Sequence, residues 1–136
     1  MAYKGFVKTS STTIPVDTIF TVEKTGKGIL KTISIELDGT DAATVYTHII
    51  LSIDGVQQLD QPQYVLYGPV RPLDATKLPA SGENMTLSEY DGTSQLYRFT
   101  WKVNLPFSSS VSIAFKPDTG VADVHAYAAL EGIEEV

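Results

Sequence analysis

The sequence is poor in two things that many functional sites need, cysteine and clustered positive charge. The chain has 136 residues and no cysteine, which excludes disulfides, thiolate metal sites and a cysteine nucleophile. Its 10 Lys and Arg stand against 16 Asp and Glu, for a formal net charge of −6. The basic residues are scattered singly, whereas binding to a phosphate backbone needs them clustered. The composition therefore argues against a nucleic-acid partner.

Long apolar segments are missing as well. No stretch approaches the ~20 apolar residues of a membrane helix, and the first residues, Met1–Lys4, lack the apolar region of a signal peptide. A hydrophobic share of 43% is nevertheless ordinary for a globular protein. We expect a soluble protein with no membrane partner, made for the cytoplasm or released without a cleaved signal. Its length predicts a single domain over residues 1–136.

The sequence motifs of catalysis and metal binding are absent too. The two histidines, His48 and His125, form neither His-x-His nor His-x-x-x-His, and we interpret both as surface or packing residues. A Gly-x-Ser-x-Gly elbow is absent, and the glycines of Gly26–Gly28 lack the following helix of a phosphate site. Most carboxylates lie in turns. Among them, only Asp38 and Asp41 could hold a Ca²⁺ ion, weakly and with loop carbonyls. We therefore expect no catalytic residue, no metal and no cofactor.

What the sequence does contain is apolar and polar side chains alternating with a period of two. The pattern is clear in four segments: Gly28–Leu37, Thr44–Ile53, Gln95–Leu105 and Ser110–Lys116. Such alternation is typical of antiparallel strands with one face on a core and one in water. Weaker strands are predicted from β-branched and aromatic content at Tyr3–Thr9, Thr18–Lys24, Gln63–Tyr67, Met85–Tyr90 and Val124–Leu130. The apolar faces predict a core that includes Ile33, Ile35, Ile49, Leu51, Phe99, Trp101, Val103 and Ile113.

Turn signals separate these strands at intervals of roughly ten residues. Asp-Gly pairs, which tolerate the positive φ angles of tight hairpins, follow three of them, at Asp38, Asp54 and Asp91. The short Thr25–Gly28 link predicts a further hairpin. Together these signals predict an all-β fold: an antiparallel two-sheet sandwich, jelly-roll-like, with about eight or nine strands.

One segment, Gln58–Gly82, has a different texture. Four prolines there prevent long pairing, so we interpret it as a surface excursion with one short strand around Val65. Long loops in compact domains are usually functional, and this one is richer in apolar side chains than a solvated loop requires. It therefore supplies our candidate binding residues, which are Tyr64, Val65, Leu66, Tyr67, Val70, Leu73 and Leu78. Tyrosine suits both sugar stacking and protein interfaces, so Tyr64 and Tyr67 do not separate those two partners.

Two segments carry a resemblance to a known group of proteins. At Gly28–Ile35, followed by Ile49–Val56, the chain resembles small β-sandwich structural proteins of tailed phages and related viruses. The resemblance implies a capsid-associated jelly roll located in the virion: a decoration, minor capsid or tail-attached protein. It implies a homo-oligomer that binds itself and the major capsid protein. Such families have no catalytic motif, so no site residues carry over.

Two classes of function therefore stay open. The first is a virion structural protein that assembles through its loops and edge strands. The second is a carbohydrate-binding or receptor-recognition module. A small metalloenzyme on a jelly-roll scaffold would need a metal-binding histidine set that His48 and His125 do not supply.

Overall fold

The computed structural model describes residues 2–15, 18–39, 47–62, 85–91, 96–117 and 124–136. Over these ranges the chain forms β-strands and no helix. The strands are β1 (Tyr3–Ile14), β2 (Phe20–Thr25), β3 (Gly28–Gly39), β4 (His48–Ile53), β5 (Val56–Pro62), β6 (Met85–Asp91), β7 (Leu96–Phe107), β8 (Ser110–Lys116) and β9 (Val124–Glu135).

The strands form two antiparallel sheets. The five-stranded sheet has the order β1-β9-β3-β7-β6, and the four-stranded sheet has the order β2-β8-β4-β5. Pairing is nested along the chain, since β1 pairs with β9, β2 with β8, β3 with β7 and β4 with β5. Successive pairs alternate between the two sheets, which is the order of a ribbon of paired strands rolled into a jelly-roll-like sandwich. The predicted fold class is confirmed.

The core lies between the sheets and follows the predicted alternation. From Ile33 to Leu37 strand β3 contributes every second residue to it, and β9 contributes Ala126, Ala128 and Leu130. Predicted core residues that are buried are Ile33, Ile35, Ile49, Leu51, Phe99 and Ile113.

Two predicted core residues, Trp101 and Val103, are only half-buried at the rim of the core. Strand β6 accompanies β7 from Leu96 only as far as Trp101, which is opposite Met85. Beyond that point no described strand lies on this side of β7. The alternation therefore gave the correct face for both residues but overestimated their burial.

The link from Thr25 to Gly28 is not the predicted hairpin. Strand β2 belongs to the four-stranded sheet and β3 to the five-stranded sheet, so this link crosses from one sheet to the other. Gly26 has a φ of 122°, which favours glycine, and its N–H donates to the carbonyl of Ser109 at 2.9 Å. A short Gly-containing link suits a hairpin and a sheet-to-sheet corner equally, which is why spacing alone misassigned it.

Strand β5 was not predicted. Its residues from Gln58 to Pro62 form the first part of the segment interpreted as a surface excursion. The strand begins after a tight turn in which Asp54 and Gly55 have φ angles of 53° and 80°, as the Asp-Gly pair predicts for a hairpin. Gln57, Gln58 and Gln61 are exposed, so this edge strand carries little hydrophobic alternation. The rest of the excursion, with the predicted strand around Val65, lies outside the described residues.

Candidate interaction surface

Strand β1 is the longest exposed feature of the described structure. It forms one end of the five-stranded sheet and pairs with β9 in an unbroken register, from Tyr3 opposite Glu135 to Ile14 opposite Val124. The sequence predicted only the first part of this strand, up to Thr9. The second part is a run of serines and threonines, which has no apolar alternation to mark it.

Alternate residues of β1 direct their backbone N–H and C=O groups to β9 and to the outer edge of the sheet. The Val136 N–H donates to the Ala2 carbonyl at 3.1 Å, while the N–H of Glu135 turns the other way and donates to Lys27 at 2.8 Å. Antiparallel residues alternate between hydrogen-bonded and non-bonded pairs. Because the register has no shift, even-numbered residues of β1 bond to β9. The odd-numbered residues, among them Gly5, Val7, Thr9 and Ser11, direct their N–H and C=O groups to the outer edge.

The side chains of β1 are exposed on both faces for most of its length. Phe6 and Ile14 are buried and mark the inner face, whereas every residue from Val7 to Thr13 is exposed. Val7 is 67% exposed and Tyr3 50%. Strand β2, the element of the four-stranded sheet that follows β1, has only 6 residues. Within the described ranges nothing covers the middle of β1.

The other sheet edges carry features that discourage strand pairing, which natural proteins achieve with bulges, charges, prolines and short strands. Strand β2 is short and carries Glu23 and Lys24. Strand β5 has a register shift against β4 and ends at Pro62, and β6 has a register shift against β7. Strand β1 has neither a register shift nor an internal proline. The part of β7 beyond Trp101, which β6 does not accompany, is short and contains Pro106. Of the described edges, β1 is therefore the one best suited to accept another strand.

An ion cluster fixes the start of β1 against both sheets. Glu134 of β9 pairs with Lys24 of β2, and also lies 3.6 Å from the ammonium of Lys4 on β1. Lys24 lies over the ring of Phe6, 5.3 Å from its centroid. The hydrogen bond from Lys24, with the charges of both lysines, lowers the pKa of Glu134 below its ordinary value. The cluster holds one end of the edge strand in place.

A shallow depression lies on the outer face of the same sheet, beside β1. Its volume is about 360 Å³, and Gly5, Val7, Lys31 and Glu131 are among the residues that line it. Gly132 lies in its wall with no room for a side chain, because a Cβ there would collide with the Ile29 carbonyl oxygen and the Phe6 ring. The recess therefore lies over β9, between β1 and β3, on the side of β1 away from its open backbone edge.

The corner between β7 and β8 is organised by one carboxylate that sequence reasoning treated only as a turn residue. Asp54 accepts hydrogen bonds from the backbone N–H groups of Ser108, Ser109 and Ser110 at 2.9, 2.7 and 3.1 Å. These bonds, that from Ser109 foremost, lower the pKa of Asp54. The run Ser108–Ser110 leads from β7 into β8, and a carboxylate is a natural acceptor for its successive N–H groups. The role of this site is structural.

The residues singled out for chemistry are dispersed. His48 lies in the four-stranded sheet, with its Nδ1 2.6 Å from Asp60 Oδ1, and His125 lies in the five-stranded sheet, with its Nδ1 3.3 Å from the Thr13 hydroxyl. Among the described residues no group of three or more His, Cys, Asp or Glu could hold a metal ion. Asp38 lies in β3, but Asp41 falls outside the described residues, so the calcium site stays a prediction.

The candidate binding residues of the excursion are also outside the described part of the chain. They are Tyr64, Val65, Leu66, Tyr67, Val70, Leu73 and Leu78. Their role stays a prediction. The edge of β1 was missed because an exposed Ser/Thr run gives no sequence signal until its neighbouring strand is known.

In the described ranges there is no helix of the length and hydrophobicity that a membrane span requires. Comparison with known proteins adds no functional assignment: no protein-family model matches the chain, and no curated protein is significantly similar to it in sequence.

Proposed function

We propose that the protein is a non-catalytic structural component that acts by protein–protein assembly, as a capsid decoration or other minor part of a virion. The observation that carries the proposal is the edge of β1, long, regular and exposed on both faces. A strand that adds to such an edge gains main-chain hydrogen bonds without needing a pocket or a charged site. The partners we propose are further copies of the chain and the major capsid protein.

The exposed apolar side chains of the described surface support this proposal. A jelly-roll-like sandwich places its strand ends and edges where neighbouring subunits can meet. Exposed large apolar side chains occur at Tyr3, Val7, Ile19 and Val56, dispersed and not gathered into one pocket. A specific interface buries roughly 800 Å² per partner. One strand edge supplies only part of that area, so we propose that the segment with Tyr64 and Tyr67 supplies more.

Light scattering across a dilution series tests the proposal. We expect a stable oligomer whose mass falls only at low concentration, and closed, regular assemblies in negative-stain electron microscopy. Replacing Tyr64 and Tyr67 by alanine should weaken the oligomer and leave the circular dichroism spectrum unchanged. A strictly monomeric protein that binds glycans on an array, and loses that binding in the same variant, would instead establish the carbohydrate-binding alternative and overturn the proposal.

A further inference from the structure

We propose that β1 pairs antiparallel with β1 of a second copy of this chain, about a two-fold axis at Thr9. The two five-stranded sheets then join into one continuous sheet across the dimer. This inference rests on the proposed assembly function and names its partner and register. A two-fold contact uses the same surface on both copies, and it is the commonest symmetry of soluble oligomers.

The parity of the backbone restricts where the axis can lie. Only odd-numbered residues of β1 direct N–H and C=O groups to the outer edge, so two such edges must place odd residues opposite odd residues. This condition requires the axis to pass through a residue and not between two residues. The longest pairings of Tyr3–Ile14 with its own copy then have the axis at Lys8 or at Thr9.

Charge decides between these two registers. An axis at Lys8 would place its ammonium directly opposite the same group of the second copy, and like charges in that position are destabilising. An axis at Thr9 places Lys8 opposite Ser10 and Lys4 opposite Ile14. No two charged residues of β1 then face each other across the new pair.

The Ser/Thr run makes this register self-complementary. On the outer face Thr9 meets Thr9 of the second copy, Val7 meets Ser11, and Gly5 meets Thr13. The pair of Thr9 hydroxyls is of a kind that is favourable across strands. The exposed fraction of Val7, 67%, falls as the neighbouring sheet covers it. The same hydroxyls keep the edge compatible with water in the isolated monomer.

A single cysteine tests the register, because the natural chain has none. In Thr9→Cys the two thiols should lie opposite each other, with Cα atoms about 5.5 Å apart in a hydrogen-bonded pair, within the range of a disulfide. Oxidation by diamide, which takes up the two electrons and two protons released, should then produce a covalent dimer. In Ser11→Cys the equivalent atoms should be about 14 Å apart, since four residues of strand rise separate them, so little cross-linking is expected. Thr21→Cys, an exposed threonine on edge strand β2, is the matched control for random collision.

A proline tests the hydrogen bonds independently of cysteine. The N–H of Ser11 faces the second copy, so Ser11→Pro should leave the pairing with β9 intact while weakening dimerisation at least about tenfold, because the symmetry removes two hydrogen bonds. The N–H of Ser10 bonds to β9, so Ser10→Pro should instead lower the stability of the fold. Light scattering and urea unfolding of both variants separate the two effects.

The outcomes distinguish this inference from the proposed function. Efficient cross-linking of Thr9→Cys, with loss of the dimer in Ser11→Pro, supports the register. An oligomer in which Ser11→Cys cross-links better than Thr9→Cys, or which Ser11→Pro leaves intact, overturns the β1 pairing and leaves assembly through another surface. A protein that remains monomeric at every concentration overturns both.

Discussion

The carboxylate of Asp54 fixes the backbone of Ser109: its Oδ1 accepts the Ser109 N–H at 2.7 Å and the Ser109 hydroxyl at 3.1 Å. The backbone N–H of Asp54 in turn donates to the carbonyl of Ser110 at 2.8 Å. One turn residue thus joins the β4–β5 hairpin to the corner between β7 and β8. Since Gly26 donates to the carbonyl of Ser109, the link from β2 to β3 is attached at the same place.

Asp54→Asn should lower the urea concentration at the midpoint of unfolding. Asparagine tolerates the positive φ of 53° at this position, so the substitution removes the charge and leaves the turn conformation accessible. The amide still offers one acceptor oxygen to the serine N–H groups, but without the charge these hydrogen bonds are weaker. Glu23→Gln, at an exposed glutamate of β2, is the control and should have the smaller effect. Equal midpoints for the two variants would contradict the role assigned to Asp54.

Acid should destabilise the fold, and two carboxylates should account for part of the loss. The folded-state pKa values of Asp54 and Glu134 lie below their ordinary values of 3.8 and 4.5. A carboxylate with a depressed pKa contributes stability that is fully present above the unfolded-state pKa and is lost as the pH falls through the folded-state pKa. The unfolding midpoint should therefore fall progressively below about pH 5. Asp54→Asn and Glu134→Gln should each make that fall shallower, and parallel curves for variant and natural protein would refute this account.

Two aromatic residues of β7 should differ in their contribution to stability. Phe99 is fully buried, and Phe99→Ala should cost about 3–5 kcal/mol through lost burial and the cavity left behind. Trp101 is half-buried at the rim, so Trp101→Ala should cost clearly less. Urea unfolding of both variants measures the difference. The indole emission of the natural protein should lie between those of a buried and a solvated tryptophan, and a larger cost for Trp101 than for Phe99 would contradict the packing described above.

Two glycines in facing strands should respond oppositely to alanine. A Cβ on Gly132 would collide with the backbone carbonyl of Ile29 and with the Phe6 ring, so Gly132→Ala should destabilise by about 1–3 kcal/mol or more. A Cβ on Gly5 would meet only the Gly132 carbonyl oxygen, at an ordinary 3.9 Å. Gly5→Ala should therefore be neutral or stabilising, by up to about 1 kcal/mol, because it restricts the unfolded chain. Thermal unfolding monitored by circular dichroism compares the pair.

Sequence reasoning succeeded where a strand buries one face and failed where it does not. Strand β8 was predicted with its observed bounds, Ser110–Lys116, since Val111, Ile113 and Phe115 all point into the core. Strand β5 and the second part of β1 were missed because glutamines, serines and threonines on a sheet edge show no alternation. Their pairing is decided by the neighbouring strand, which lies far away in the sequence.

The open edge of β1 could not be predicted from the sequence for the same reason. Whether Thr9 directs its N–H to β9 or to solvent depends on the register between β1 and β9. No local sequence pattern indicates that register. The crossing at Gly26 was misassigned because the two sheets become distinct only when all strands are in place. Tyr64 and Tyr67, outside the described residues, remain binding residues predicted from composition alone.

The pairing of β1 with β9 has a kinetic consequence. Tyr3 meets Glu135 across almost the whole chain, so closing this pair carries the largest loop-closure entropy of any described pair and raises the contact order of the fold. During synthesis β1 emerges first among the described strands and β9 last, so both edges of β1 stay unpaired until β9 leaves the ribosome. Only this pairing decides that the backbone N–H and C=O groups of Gly5, Val7, Thr9 and Ser11 face the outer edge. A subunit built this way can present the proposed assembly edge in the correct register only after its own translation has passed β9.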